Sequence, residues 1–268
     1  MLTLRQLAVK SLTHLEERGE SRVAVDEDAR GILRQWMQDA RRRGNAGASC
    51  SAGGSARSED TVLSVEEKLI YLRQRAAEWK PARRLGTLRD TMVFAVGNPH
   101  ARLMLVGEAP GYEEERQQEP FVGPAGQLLN RILGAMGLPR EKVYISNVCK
   151  FRPSMGENQG TANRPPSPEE LAACAPLIMA EIRAVHPACI VCLGGSSAKG
   201  LLGTQQGVNA LRGRWLECQG VPVRVTYHPS YLLRNEAISA RRALWEDMLA
   251  VMERLGMPIS EKQRNYFR

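Results

Sequence analysis

Five short strings in this 268-residue chain set hydrogen-bonding or ionisable side chains directly after apolar or β-branched runs. Leu103–Val106 is followed by Gly107-Glu108-Ala109-Pro110-Gly111 and, a little later, by Pro120-Phe121-Val122-Gly123. Val143–Ser146 is followed by Asn147. Cys189–Leu193 leads into Gly194-Gly195-Ser196-Ser197, and Val221–Tyr227 leads into His228-Pro229-Ser230. Together they supply a carboxylate, an aromatic ring, an amide, hydroxyls and an imidazole. Such a set suits a planar heterocycle. The ring stacks on it, the amide matches its donors and acceptors, and a further donor meets negative charge as it develops. Other chemistries lack their motifs: there is no phosphate-binding G-x-x-x-x-G-K-[ST], no G-x-G-x-x-G after a strand and no G-x-S-x-G elbow. Cys189-x-x-Cys192 lies inside an apolar strand run, where residues three apart face opposite sides and cannot easily share a metal.

The strings need elements to hold them. The apolar runs above, with Met92–Val96, read as strands; Gly126–Met136, a segment opened by Ser167-Pro168-Glu169-Glu170, and Ala237–Leu255 read as helices. Ser64-x-x-Glu67 is a capping box that opens a further helix through about Trp79. Strand–helix alternation implies a parallel sheet covered on both faces, with ligands bound outside the carboxyl ends of its strands. Upstream, Leu4, Leu7, Leu12 and Leu15 recur near helical spacing. Residues 1–44 therefore read as a helical extension closed by Arg41-Arg42-Arg43, either a solvated helix end or a DNA-clinging arm. Residues 45–60 read as a flexible Ala/Gly/Ser linker, 61–257 as the main domain and 258–268 as a tail.

A formal net charge of +8 favours a polyanionic partner, nucleic acid before an anionic membrane. No apolar run approaches the roughly 20 residues that cross a bilayer, and MLTLRQLAVK has no signal-peptide pattern. These features lead us to expect a cytoplasmic, nucleoid-associated protein, monomeric, with no membrane partner and reduced cysteines.

Taken in order, Gly107-Glu-Ala-Pro-Gly, Pro120-Phe-Val-Gly-x-Ala-Gly-x-Leu-Leu, Asn163-Arg-x-Pro-x-Pro-Glu-Glu and His228-Pro-Ser resemble the uracil-DNA glycosylase superfamily. They are most similar to family 4, bacterial and archaeal enzymes with an iron–sulfur cluster. The likeness runs from about Phe94 to about Leu249. It implies a three-layer α/β/α sandwich around a short central parallel sheet, and an enzyme that removes uracil from DNA. Gly107 and Ala109 would line the base site, Phe121 would stack on uracil, Asn147 would read its Watson–Crick edge and reject cytosine, and His228 would donate toward uracil O2. Glu108 and Asn163 are the candidates for holding the attacking water or the developing sugar cation; Glu108 could instead brace its loop. Family 1 enzymes have an aspartate where this chain has Ala109, so the water-positioning group stays open. Leu232, with Tyr231 as its rival, could fill the vacated base stack. Ser196, Ser197, Ser230 and Arg234 could hold phosphates, and the serines could equally be local caps.

The chain departs from family 4 at the cluster. The resemblance implies four cysteines: an N-terminal C-x-x-C, one in a K-C-R-P string and one in the next helix. Here only Cys174 matches; the string reads Lys150-Phe151-Arg152-Pro153, Cys149 lies two positions early, and Glu78–Arg83 contains no cysteine. A cluster needs a tight shell of thiolates, so the expectation is no iron–sulfur cluster and no other cofactor, with Trp79 and Phe151 packed in its place. Ser154–Ala162 lengthens the loop before Asn163 and reads as mobile. Two further readings stand beside the active enzyme: a non-catalytic or covalently trapping binder of uracil-containing or damaged DNA, and an interaction module that docks partners through its N-terminal helix.

Overall fold

The structure is a computed structural model that describes residues 63–268. The expected N-terminal helix, its arginine run and the linker lie outside the described residues. Ser64 opens α1 (Val65–Ala77) with the expected capping box: its hydroxyl accepts from the Glu67 amide, and the Glu67 carboxylate accepts from the Ser64 amide. The chain continues through α2 (Lys80–Arg83), β1 (Leu88–Met92), β2 (Val96–Gly97) and β3 (Leu103–Gly107) to α3 (Tyr112–Gln117) and α4 (Pro124–Met136). Then come β4 (Tyr144–Asn147), β5 (Phe151–Pro153), α5 (Pro168–Val185), β6 (Cys189–Leu193), α6 (Gly195–Leu202) and α7 (Val208–Leu211). Finally β7 (Trp215–Cys218) and β8 (Val221–Thr226) lead to α8 (Pro229–Arg234), α9 (Ile238–Arg254) and α10 (Glu261–Arg264).

Among the described residues six strands form one sheet in the order β2-β4-β3-β6-β8-β7. Its centre, β4-β3-β6-β8, is parallel as expected, and the edge strands β2 and β7 run antiparallel. Successive side chains leave a strand on opposite faces. Met104, Val106, Ile190 and Cys192 therefore enter one core with Cys174 and Ile178 of α5 and Leu201 of α6. Leu103, Leu105, Cys189 and Val191 enter the other with Leu129 and Leu133 of α4 and Trp245 and Met248 of α9. Both faces are covered, which makes the three-layer sandwich. Cys189 and Cys192 thus lie in separate cores, and burial pushes the Cys189 thiol up to about 11.

Two expectations need correction, and one strand was not foreseen. Met92–Val96 is not one strand: β1 pairs with β5 in a separate two-stranded sheet, while β2 joins the main one. Val93 and Phe94 are buried as the chain crosses between the sheets, so burial, not ladder pairing, accounts for that apolar run. β7 escaped notice because an edge strand with one solvated face has no continuous apolar signature. Residues 258–268 are no loose tail. The Trp245 indole donates to Gln263 O (2.6 Å), Gln263 Nε2 donates to Ala135 O (2.8 Å), and Tyr266 packs on Trp245.

Candidate active site

Beyond the carboxyl ends of β3, β4 and β8 lies a cavity of about 750 Å³. Its walls bring together Glu108, Ala109, Phe121, Asn147, Asn163, His228, Ser230 and Arg234, residues spread over more than half of the described chain.

Gly107 stands behind the wall, and only glycine fits there. A Cβ would meet Asn147 Oδ1 at 2.3 Å and Phe121 Cζ at 2.5 Å. The amide and the ring therefore converge because β3 ends in a residue without a side chain. Phe121 is itself left-handed (φ +55°), an uncommon conformation for a bulky residue and one that concentrates at functional sites. Gly126, in the first turns of α4, lets that backbone approach: a Cβ would fall 1.9 Å from Phe121 O. Glu114 joins the two loops, accepting from the amides of Gly111 (3.1 Å), Val122 (3.1 Å) and Gly123 (2.9 Å). Sequence reading missed Glu114, although its place three residues after the helix-opening Gly111 is a capping position.

Asn147 is 2% exposed and pairs with Gly107 at the last rung of the β3–β4 ladder. The Cys149 amide donates to Glu108 O (2.9 Å). The main chain of Glu108 thus does the bracing, and its half-buried carboxylate makes no hydrogen bond among the described residues.

His228 caps α8. The Ser230 amide donates to His228 Nδ1 at 3.1 Å, and Ser230 Oγ lies 2.7 Å from the same nitrogen. A ring nitrogen that accepts an N–H carries no proton, so the neutral ring has its proton on Nε2. Burial holds the imidazole below its usual pKa, and Arg234 adds to this; the carboxylates of Glu108 and Glu114 oppose it. The His228 and Phe121 ring centres are 5.7 Å apart. Gly194 makes room for His228, since a Cβ there would lie 3.1 Å from His228 Cβ and φ is +98°. Two residues before His228, Thr226 Oγ1 donates to buried Asp247 (2.8 Å), which also pairs with Arg224 and Arg212.

The 154–162 loop, expected to be mobile, is tied down. Buried Gln159 donates to the carbonyls of Pro153 and Ala162, and Arg152 donates to those of Gly160 and Ala162. Arg152 Nε also donates to Asn163 Oδ1 (2.9 Å) while its Nη1 pairs with Glu115 (2.9 Å). Asn163 therefore stays in the wall despite the longer loop, with its Nδ2 directed at the Gly111 loop.

Several expected DNA contacts are redistributed. Leu232 is 7% exposed and sits in the α4–α9 core, where it cannot enter a duplex without leaving that core. Its neighbour Leu233 is 43% exposed and lines the cavity; in the short helix α8 the two side chains point to different faces. Tyr231 is exposed beside Tyr227 with ring centres 4.8 Å apart, outside the cavity. Ser197 is fully buried and donates to Gly194 O (2.9 Å), a local bond within the turn that opens the helix. Ser196 is half-buried in the same turn, also outside the cavity, whereas Ser230 and Arg234 line it.

The corner where family 4 resemblance puts a cluster does not fit one. The thiols of Cys149 and Cys174 meet there; Cys149 Sγ donates to Glu170 O (3.6 Å), and the interaction of the two thiols pushes the Cys149 pKa up and the Cys174 pKa down. The remaining space holds Phe151, fully buried with the Arg83 guanidinium 4.5 Å above its ring, and Trp79, whose indole donates to Ala173 O (2.7 Å). Among the described residues no group of three His, Cys, Asp or Glu side chains is placed to share a metal ion.

A cavity at the carboxyl edge of a parallel sheet, walled by an aromatic ring, an amide and an imidazole, defines a class of ligand-binding α/β protein. Comparison with known proteins narrows it. Residues 94–249 match the model of the Uracil DNA glycosylase superfamily, and the chain belongs to that superfamily. It is 42% identical over 164 residues to the type-4 uracil-DNA glycosylase of Thermotoga maritima, covering 60% of this chain and 81% of that protein. It is 36% identical over 187 residues to that of Archaeoglobus fulgidus, covering 67% and 87%.

Proposed function

We propose that this protein flips uracil out of DNA and hydrolyses its N-glycosidic bond, leaving an abasic site. The observation that carries this reading is the convergence of Phe121, Asn147 and the Nε2–H of a neutral His228 on one cavity. Base loss breaks the N1–C1′ bond, and its electron pair leaves on the uracil ring. His228 Nε2–H donates to O2 as that charge grows; one such pre-set donor typically contributes about 2.7–4 kcal/mol. Phe121 stacks on the ring, and Asn147 offers its amide to the Watson–Crick edge, where cytosine has the opposite donor pattern. The free carboxylate of Glu108 stabilises the sugar cation and orients a water, whose oxygen bonds to C1′ as its proton passes to that carboxylate. Asn163 has its oxygen engaged by Arg152, so it presents a donor. That suits a water oxygen or a phosphate, not the sugar cation. Exposed Leu233 is the wedge for the vacated stack, and Arg234 and Ser230 hold the backbone at the rim.

The test is a labelled oligonucleotide with one uracil, treated with alkali after reaction. Time-dependent cleavage, lost in Asn147→Ala and His228→Ala, is expected. A protein–DNA band that survives denaturation without cleavage would favour a trapping binder instead.

The protein holds no iron–sulfur cluster in this reading, because Phe151 and Trp79 fill the corner that a cluster would need. Anaerobically purified protein should contain far less than one iron per chain; stoichiometric iron with a visible absorption band would refute it.

A further inference from the structure

Lys150 is fully buried, yet it lies three residues beyond Asn147. Its Nζ donates to the Asn147 carbonyl (2.7 Å) and to Ser146 Oγ (2.6 Å), and it lies 2.5 Å from Glu181 Oε1. Glu181 is equally buried and accepts from Tyr144 Oη (3.0 Å) and Ser146 Oγ (2.8 Å). A buried ion pair is poor value as a stabiliser, since a well-packed apolar pair of the same volume often does as well or better. Its location suggests another use. The β3–β4 ladder ends at Gly107 and Asn147. Beyond it, the amides of Val148 and Cys149 donate to the Gly107 and Glu108 carbonyls, so the turn hangs from the first active-site loop. The Asn147 carbonyl is turned away from that loop and is taken by the Lys150 ammonium.

We propose that Lys150, held by Glu181 of α5, is a positioning residue for Asn147; this rests on Asn147 reading the base. Without the ammonium the Asn147 carbonyl is a buried acceptor with no partner, and the peptide rotates to find one. The side chain rotates with it. Asn147 Oδ1 and the Phe121 ring share the space that a Gly107 Cβ would take, so a rotated amide loses its register with the ring.

The variant Lys150→Met/Glu181→Gln removes both charges and leaves Tyr144 and Ser146 an acceptor. We would measure its melting temperature, single-turnover excision rate, inhibition by free uracil and affinity for abasic-site DNA, with Asn147→Ala in parallel. Positioning predicts that excision rate and uracil affinity each fall about 10-fold or more, while abasic-site affinity stays within about twofold. A folded double variant with wild-type rate and uracil affinity, beside an inactive Asn147→Ala, would overturn the proposal and leave Lys150 a core ion pair. An active Asn147→Ala would instead remove the reading of Asn147 itself. Should the double variant not fold, Ser146→Ala takes away one Nζ partner without unpairing a charge. It should weaken uracil inhibition about threefold in a variant that stays folded with a modestly lower melting temperature, and unchanged inhibition would count against the proposal.

Discussion

The turn from Asn147 to Phe151 serves two regions that obey different rules. Toward the cavity, Asn147, Phe121 and His228 meet through close approaches that Gly107, Gly126 and Gly194 allow, and the polar groups are left free to meet a ligand. Toward α5, Cys149 and Phe151 are fully buried in the main core beside Cys174, with Arg83 over the Phe151 ring. One side is specified to fractions of an ångström, the other by volume. A site for chemistry tolerates no substitution of type, whereas a packed corner tolerates any that fills it. That is how this corner accommodates a phenylalanine where the family 4 string has a cysteine.

The sharpest way to break the comparison is Gly107→Ala. A methyl 2.3 Å from Asn147 Oδ1 must displace the amide or the ring. Single-turnover excision should fall about 100-fold with a smaller change in melting temperature. Phe151→Ala should do the reverse. It leaves a cavity in the core, which should cost about 3–5 kcal/mol in denaturant unfolding, while the folded fraction excises uracil at a near-normal rate. If Phe151→Ala slows the chemistry as much as Gly107→Ala does, the two regions are not separable.

The pH profile sharpens the contrast further. Burial lowers the His228 pKa in the folded chain below the ordinary 6.5, so the unfolded chain binds the extra proton first as pH falls. Excision should stay flat down through pH 6.5 and drop only below it. Folding stability should decline as pH falls from 6.5 toward the folded pKa, and His228→Gln should abolish that decline. Arg83→Ala is the smallest effect expected. It removes a cation–π contact and an exposed ion pair to Asp90, about 0.5–1 kcal/mol of stability, with no change in excision.

Much of this was legible in the linear sequence. The central strands, the capping boxes at Ser64 and Ser167, and the gathering of Glu108, Phe121, Asn147 and His228 at one edge follow from apolar runs that end in polar strings. In a parallel sheet every such string lands on the same side. The misreadings share a physical cause. Leu232 and Leu233 are identical in type and adjacent, and only packing on α4 and α9 decides which is core and which is rim. The 154–162 loop is polar and glycine-containing, yet Gln159 and Arg152 anchor it through carbonyls that no local pattern reveals.

The sequence by itself determined which chemistry is present, because residue types and their order along strands are local properties. It also showed that positions where the family 4 pattern has cysteines carry other residues here, Phe151 among them, since matching a pattern needs no coordinates. Only the tertiary structure decided which nitrogen of His228 carries the proton and which face of Asn163 meets the cavity. It alone decided that a buried lysine holds the carbonyl of Asn147. Hydrogen bonds between side chains and distant backbone depend on distances of a few ångströms, and the chain acquires those distances only when it has folded.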